Sequence, residues 1–178
     1  FISVDGVVEA PDQWQFDNFD EDMGSELAAA LGAQDAVLLG RVTFQEWAAY
    51  WPNFSGEGGD RAYADFINNA PKYVVSSTLD NVNQWQNSTL IRGAELVREL
   101  GNLKQQPGKD IGVQGSPTLV RSLLNLGLLD QLQLLIHPVV AGRGKHLFRD
   151  GDDLKRLHLV EARPTRSGVI IATYRPKE

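Results

Sequence analysis

Hydrophobic runs of strand length alternate with segments of helical periodicity through most of this sequence. The run 36–39, Ala-Val-Leu-Leu, has no polar residue, as expected for a strand that is covered on both faces. A helical segment follows it, and the same order recurs along the chain. This alternation predicts an α/β fold in which helices flank a largely parallel sheet.

The last third of the chain departs from this pattern, because no helical segment separates its strands. Runs 157–162 and 169–174 are joined by a turn at Ser167-Gly168, which favours an antiparallel pair. We therefore expect a mixed, mostly parallel sheet that is closed by an antiparallel C-terminal strand pair. The length of 178 residues suits a single domain over 1–178.

Composition excludes several classes of chemistry. The chain has no cysteine, so disulfides, thiol nucleophiles, iron–sulfur clusters and cysteine-ligated zinc are excluded. With 17 Lys and Arg against 23 Asp and Glu, the net charge is −6, which argues against a nucleic-acid partner. His137, His146 and His158 are too widely spaced for the paired ligands of a helical metal site, so we expect no metal.

The apolar runs are too short to span a membrane. None approaches the roughly 18 apolar residues that a membrane helix needs, and the N-terminal residues do not have the charged and then apolar pattern of a leader. We therefore expect a cytoplasmic protein with no membrane partner.

Glycine and hydroxyl residues follow three of the predicted strands. In a parallel sheet, ligands bind beyond the carboxyl ends of the strands, where free N–H groups and the helix dipole favour anions. The three junctions are Gly40-Arg41-Val42-Thr43, Ser76-Ser77-Thr78 and Gly115-Ser116-Pro117-Thr118. Together they predict a cradle for the phosphates of a dinucleotide. The alternative is that the glycines only make tight turns and Ser116 only caps its helix.

The order and spacing of these motifs resemble those of a known superfamily. The motifs are Ser3-Val4-Asp5-Gly6, Leu39-Gly40-Arg41-Val42-Thr43, Val75-Ser76-Ser77-Thr78 and Gly115-Ser116-Pro117-Thr118-Leu119, with the strand and loop 130–148. They resemble the dihydrofolate reductase-like superfamily, in particular the branch of the riboflavin biosynthesis reductase domain and its stand-alone relatives. The resemblance implies the three-layer fold of that superfamily, with NADPH lying across the strand ends.

The resemblance also implies roles for individual residues. Contacts with the cofactor's phosphates would come from the starts of two helices, that is, from Gly40, Arg41, Thr43, Gly115, Ser116, Pro117, Thr118 and Leu119. Contacts near the adenosine ribose and its 2′-phosphate would come from Ser76, Ser77 and Thr78. Val4 and Asp5 would stand beside the nicotinamide and the substrate.

Two departures from the family pattern bear on specificity. Many relatives offer a Ser-Arg pair to the 2′-phosphate, where this chain has Ser76-Ser77. The positive charge that favours NADPH over NADH must then come from another residue, and Arg92 and Arg41 are the candidates. The riboflavin enzymes usually have Asp-Glu where this chain has Asp130-Gln131, so the substrate is left open.

Asp5 and Trp14 are the candidates for the substrate side of the site. Asp5 would bind a substrate hydroxyl or N–H group, or donate a proton if burial raised its pKa. The alternative is that Asp5 has no role in binding and only forms a turn with Gly6. Trp14 lies in a polar loop and is a candidate wall for a flat heterocycle, whereas the helical spacing of Trp47 and Trp51 favours the core. Asp20 is better explained as a helix cap than as an acid.

Three hypotheses about function follow. The first is an NADPH-dependent reductase that resembles 5-amino-6-(5-phosphoribosylamino)uracil reductase or dihydrofolate reductase and acts on a small heterocyclic or sugar-linked substrate. The second is a non-catalytic nucleotide-binding or sensing module of the same fold. The third, a structural interaction domain, requires every junction to serve only as a turn or a cap. The resemblance also implies a homodimer that forms through the C-terminal strands.

Overall fold

The computed structural model describes residues 1–177 and contains eight strands and five α-helices in that range. The strands are β1 (Ile2–Ser3), β2 (Gln34–Gly40), β3 (Lys72–Val75), β4 (Ser88–Ile91), β5 (Asp110–Val113), β6 (Leu132–His137), β7 (Leu157–Pro164) and β8 (Ile170–Pro176). The helices are α1 (Glu21–Gly32), α2 (Arg41–Tyr50), α3 (Gly59–Asn69), α4 (Leu96–Lys104) and α5 (Pro117–Asn125).

The contacts of the chain divide it into two compact units. The middle unit is Leu27–Leu119, and the terminal unit combines Phe1–Glu26 with the chain from Val120 onward. Each unit has its own four-stranded sheet, and each is described by itself. The single domain over 1–178 stays a prediction.

The sheet of the middle unit is fully parallel, with the strand order β4-β3-β2-β5. Strand β2 lies inside this order, and its residues from Ala36 to Gly40 are all buried. This agrees with the prediction of a strand that is covered on both faces. Because the strands run in one direction, Gly40, Val75, Ile91 and Val113 end them at the same edge of the sheet.

The core of the middle unit forms around β2 and the first turns of α2. It includes Val37, Leu39, Phe44, Ile67 and Val74, each of which is fully buried. Trp47 and Trp51 pack against this cluster while remaining partly exposed, as their helical spacing predicted. The two indoles also meet edge to face, with ring centroids 6.1 Å apart.

The sheet of the terminal unit is mixed, with the strand order β1-β6-β8-β7. Strand β1 is parallel to β6, while β8 is antiparallel to both β6 and β7. Gly168, with φ at 89°, makes the turn between β7 and β8. The α/β class, the parallel strands and the antiparallel C-terminal pair are therefore confirmed, and the strands are shared between two hydrogen-bonded sheets.

A buried lysine closes the end of α3. The side chain of Lys72 is fully buried, and its Nζ donates hydrogen bonds to the carbonyls of Ile67 at 2.9 Å, Asn68 at 3.3 Å and Ala70 at 2.8 Å. The ammonium also lies 4.7 Å from the centre of a Trp85 ring. Burial lowers the pKa of Lys72 to about 8, and the carbonyls at the helix C-terminus offset this desolvation cost.

We predict that Lys72→Met lowers the free energy of unfolding by about 2 to 3 kcal/mol, because buried carbonyls at the end of α3 lose their donor. Urea denaturation measures this loss. Lys109→Met is the matched control, since Lys109 Nζ also donates to a helix-end carbonyl, that of Gly32 at 2.7 Å, but does so at an exposed position. Equal losses in the two variants would contradict the argument from burial.

Candidate functional site

The carboxyl edge of the middle-unit sheet brings together the three junctions that the sequence singled out. Gly40 ends β2, Ser76 directly follows β3, and Gly115 lies two residues beyond the end of β5. Strand β2 pairs with both β3 and β5. The three loops therefore leave adjacent strands at the same edge, which is where parallel sheets bind ligands.

Gly40 allows two of these loops to touch. A Cβ atom at Gly40 would lie 2.5 Å from Ser116 Oγ and 2.7 Å from Ser116 Cβ, distances that no side chain tolerates. The contact is reciprocal, because a Cβ atom at Gly115, whose φ is +69°, would lie 3.2 Å from Thr43 Oγ1. The end of β2 and the loop before α5 are thus interlocked at two glycines.

The start of α2 offers unused backbone donors. Within the described chain, no side chain caps this helix, which Gly40 enters in an extended conformation. Thr43 is half-buried in its first turn, and the exposed Arg41 donates to Gln45 Oε1 at 3.1 Å. Uncapped N–H groups at a helix N-terminus favour an anion, so this end of α2 suits a phosphate.

The start of α5 is different, because Ser116 Oγ accepts a hydrogen bond from the N–H of Leu119 at 3.2 Å. Ser116 therefore caps α5, which is the role that the alternative to a phosphate cradle assigned to it. Its backbone lies in the left-handed region, with φ at 60°, which is uncommon for a residue with a side chain. Pro117 begins the helix and Thr118 is exposed beside it.

The three hydroxyl residues after β3, Ser76, Ser77 and Thr78, differ in burial and in hydrogen bonding. Ser76 is buried, and its Oγ accepts hydrogen bonds from the N–H groups of Thr78 and Leu79, both at 3.1 Å. It therefore shapes the turn, while Ser77 and Thr78 are exposed. Arg92, directly after β4, donates to the Leu79 carbonyl at 2.5 Å, so the turn holds this guanidinium beside its hydroxyls.

In the terminal unit, Asp5 holds a loop. Its carboxylate accepts hydrogen bonds from Ser3 Oγ at 2.6 Å and from the N–H groups of Ala141 at 3.0 Å and Gly142 at 2.8 Å. The Ser3 hydroxyl above all, and then the two N–H groups, lower the pKa of Asp5 to about 2. The raised pKa that proton donation requires is therefore absent, and a turn at Gly6 is present, with φ at +87°.

Exposed apolar side chains lie at the strand ends of the terminal unit. Val4 follows β1 and is 63% exposed, and Val140, which follows β6, is 74% exposed. The two segments are joined by a hydrogen bond from the N–H of Val4 to the Val139 carbonyl at 2.9 Å. Open valines at the ends of a parallel strand pair suit a flat, weakly polar ring.

Trp14 covers a residue that the sequence did not single out as a binding candidate. Its indole meets the imidazole of His137 edge to face, with centroids 5.5 Å apart. His137 is fully buried, and burial lowers its pKa. In the sequence, the feature that could have marked His137 as a binding candidate was its position at the end of a predicted strand, directly before Pro138.

Asp20 and other polar side chains of the terminal unit have structural partners. Asp20 caps α1 by accepting a hydrogen bond from the N–H of Met23 at 2.9 Å, which confirms the predicted cap. Glu21 forms an ion pair with Arg166 at 3.1 Å, and Lys145 forms one with Glu9 at 2.6 Å. Over residues 1–177, the His, Asp and Glu side chains form no group of three or more that could hold a metal ion.

Of the helices in the part of the chain that the structure describes, none combines the length and the apolar character that crossing a membrane requires. The longest of these helices, α1, carries Glu21 and Asp22 in its first turn.

Comparison with known proteins agrees with this architecture. The model of the RibD C-terminal domain family matches residues 1–171. The uncharacterized protein YyaP of Bacillus subtilis is 32% identical over 176 residues, which cover 97% of this chain and 90% of that protein.

Two solved structures show the same fold. A putative riboflavin biosynthesis protein from Shewanella sp. PV-4 aligns with a TM-score of 0.77 at 17% identity, covering 99% of this chain and 96% of that one. Dihydrofolate reductase from Enterococcus faecalis, solved with NADP(H) and RAB-propyl, aligns with a TM-score of 0.63 at 13% identity, covering 99% and 93%. The fold is therefore that of the dihydrofolate reductase-like superfamily, as the resemblance implied.

We predict that Gly40→Ala lowers the free energy of unfolding by about 1 to 3 kcal/mol, because the added methyl group overlaps Ser116. Adding Ser116→Gly should restore most of that loss, since it removes both atoms that the methyl group meets. Gly101→Ala in α4 is the control, because among the described residues no atom outside the neighbouring backbone of that helix lies within 4 Å of the added atom. Denaturant titrations of the double-mutant cycle measure the coupling, and additive effects would contradict the interlock.

Proposed function

The chain belongs to the RibD C-terminal domain family, whose fold it shares with known reductases, and from that premise we propose that it is an NADPH-dependent reductase. Its substrate is a small heterocyclic or sugar-linked molecule. The reaction is hydride transfer of the kind that 5-amino-6-(5-phosphoribosylamino)uracil reductase and dihydrofolate reductase carry out. When bound, NADPH supplies the hydride.

The observation that carries this proposal is the meeting of two helix starts at the edge of the middle-unit sheet. The uncapped N–H groups of α2 and the loop before α5 are held together by the contact of Gly40 with Ser116. Backbone donors and hydroxyls in such an arrangement fit phosphate oxygens. Gly40, Arg41 and Thr43 would bind one phosphate, and the segment 115–119 would hold the pyrophosphate.

Arg92 supports the choice of NADPH over NADH. The exposed hydroxyls of Ser77 and Thr78 lie on the turn whose Leu79 carbonyl accepts a hydrogen bond from the Arg92 guanidinium. A 2′-phosphate on an adenosine ribose at this turn would meet a cation and two hydroxyl donors. Arg92 would thus supply the charge that Ser76-Ser77 lacks, because guanidinium groups bind phosphates well.

In the terminal unit, Asp5 would bind the substrate as an ionised acceptor. A carboxylate can accept about four hydrogen bonds, and Asp5 already accepts three. The remaining capacity suits an N–H group of a heterocycle. Val4 would stand beside the nicotinamide, and Trp14 would form a wall of the substrate pocket.

A non-catalytic nucleotide-binding or sensing module is the second candidate. It is favoured by the lowered pKa of Asp5 and by the structural tasks of Asp20 and Glu21. These carboxylates are poorly suited to donate the proton that accompanies a hydride. Such a module would bind NADPH without turnover.

We also propose that the protein is cytoplasmic, has no nucleic-acid or membrane partner and is a homodimer that forms through its C-terminal strands. The half-exposed apolar side chains of Leu159 and Val160 on β7 and of Ile170 on β8 support the dimer. Strand β7 is an edge strand of its sheet, and natural proteins cover or protect such edges.

Nucleotide binding tests the cofactor assignment. We predict that Arg92→Ala weakens NADPH binding at least tenfold and leaves NADH binding nearly unchanged, because only NADPH carries the 2′-phosphate. Arg41→Ala should weaken both nucleotides, since it acts on a phosphate that they share. Quenching of tryptophan fluorescence measures the dissociation constants, with Arg156→Ala as the control. Failure of millimolar NADPH to bind the native protein would overturn the cofactor assignment.

Turnover separates the two candidate functions. We predict steady oxidation of NADPH, followed at 340 nm, when the native protein is given 5-amino-6-(5-phosphoribosylamino)uracil or dihydrofolate. Catalysis should saturate with substrate and should weaken in Asp5→Asn, mainly through a higher KM, because the ionised acceptor is lost. Binding of NADPH with no oxidation in either reaction would favour the non-catalytic module.

A further inference from the structure

The imidazole of His137 is a buried polar group that the functions described above do not use. His137 ends β6 and is fully buried. Among residues 1–177, neither of its ring nitrogens has a hydrogen-bond partner. A neutral imidazole carries one donor and one acceptor, and buried polar groups in native proteins are nearly always paired. Two unpaired nitrogens on one side chain therefore require a physical reason.

The surroundings of this imidazole are aromatic. The ring of Phe1 meets it at a centroid distance of 5.6 Å and an angle of 63°, and the indole of Trp14 meets it at 5.5 Å and 75°. Both contacts are edge to face. Such walls cannot satisfy a ring nitrogen, and burial keeps the pKa of His137 below its usual value, so the ring is neutral at pH 7.

The segment that covers His137 is weakly held. Trp14 follows the short turn Pro11–Gln13, which Ala10 enters with φ at 47° and which none of the described side chains caps. In the part of the chain that the structure describes, the Trp14 Nε1 donates to the nearby Glu9 carbonyl alone, at 3.3 Å. The next residue, Gln15, also has a buried side-chain oxygen without a partner. Segments with few hydrogen bonds to the rest of the protein are the ones that move away from a site when a ligand binds.

We propose that His137 is a substrate-binding residue: the substrate displaces the indole of Trp14 from His137, and the imidazole then hydrogen-bonds the substrate. This inference rests on the proposed reductase function and names a residue that its substrate contacts. The position fits, because His137 lies opposite Ser3 in the parallel pair of β1 and β6. The candidate substrate loop, which includes Val4 and Asp5, begins directly after β1, so it starts beside the end of β6 that carries His137.

The chemistry of the pocket selects the ligand. A neutral ring with one donor and one acceptor, with the ring of Phe1 still beside it after Trp14 has moved, suits a planar heterocycle that presents an N–H group and a carbonyl on one edge. The carboxamide of a nicotinamide has similar groups. We assign the contact to the substrate, because the indole that meets His137 belongs to Trp14, the candidate wall of the substrate pocket.

Histidine NMR tests the contact directly. The 178-residue chain, labelled with ¹³C at histidine Cε1, should give one Cε1 signal for each of its three histidines, and the one missing from His137→Phe belongs to His137. We expect 5,6-diaminouracil to shift this signal saturably and to leave those of His146 and His158 in place. NADPH alone should leave it unmoved. A shift caused by NADPH and not by diaminouracil would assign the contact to the nicotinamide and overturn the proposal.

The variants separate binding from structure. His137→Phe should raise the dissociation constant for diaminouracil at least tenfold while it keeps or raises the melting temperature, because an aromatic ring replaces unpaired polar atoms. His137→Asn, which retains a donor and an acceptor, should recover part of the affinity. Leu135→Met, at a buried position on the same strand, is the control and should bind normally. Unchanged diaminouracil binding in His137→Phe would overturn the proposal, as would a large loss of stability.

The outcome for His137 is independent of the outcome for the cofactor. If NADPH is bound and oxidised, and His137→Phe has the native KM, only the contact is wrong. If NADPH neither binds nor reacts, the reductase assignment fails. The imidazole signal then still reports whether the pocket takes the heterocycle.

Discussion

The middle unit depends on the absence of a side chain at position 40. Because β2 lies inside its sheet, the loop that follows β5 must pass close to the end of β2 before α5 begins. The approach leaves 2.5 Å between Ser116 Oγ and the position of a Cβ atom on Gly40. With that contact made, Ser116 can cap α5 from a left-handed backbone conformation, and two helix starts lie side by side. The phosphate cradle that we propose is a consequence of this packing.

The same packing explains how an acidic chain can suit an anion. The net charge of −6 describes the long-range field, whereas a phosphate at a helix start responds to the nearest dipoles and donors. At this edge the donors are the uncapped N–H groups of α2 and exposed hydroxyls. Arg92 adds one cation, already held by the Leu79 carbonyl. A few fixed donors in a small volume can outweigh charges that are spread over the remaining surface and screened by salt.

Local signals in the sequence predicted the local features of this structure. The caps at Asp20 and Ser116, the buried strand at 36–39 and the turn at Gly168 each follow from residues within a few positions of one another. The burial of Lys72 and of His137 did not follow. His137 is surrounded by the distant residues Phe1 and Trp14, whereas Lys72 bonds carbonyls within five positions of it, a bond for which the sequence has no recognised pattern. A lysine at the start of a strand is ordinarily exposed, and its burial here depends on the turn of the chain from the end of α3 into β3 and on the ring of Trp85. The division of the strands between two sheets is likewise a long-range property.

Burial of a polar group does not by itself indicate function, and Lys72 and His137 show why. Both are fully buried. Lys72 satisfies its ammonium with three carbonyls, so its position is explained by the stability of the fold. Both ring nitrogens of His137, by contrast, have no hydrogen-bond partner among residues 1–177, and a leucine or phenylalanine at this position would avoid the cost of burying them. The unpaired nitrogens of His137 therefore need an explanation other than stability, and the aromatic rings of Phe1 and Trp14 and the exposed valines near the ends of β1 and β6 are the observations from which we propose ligand binding.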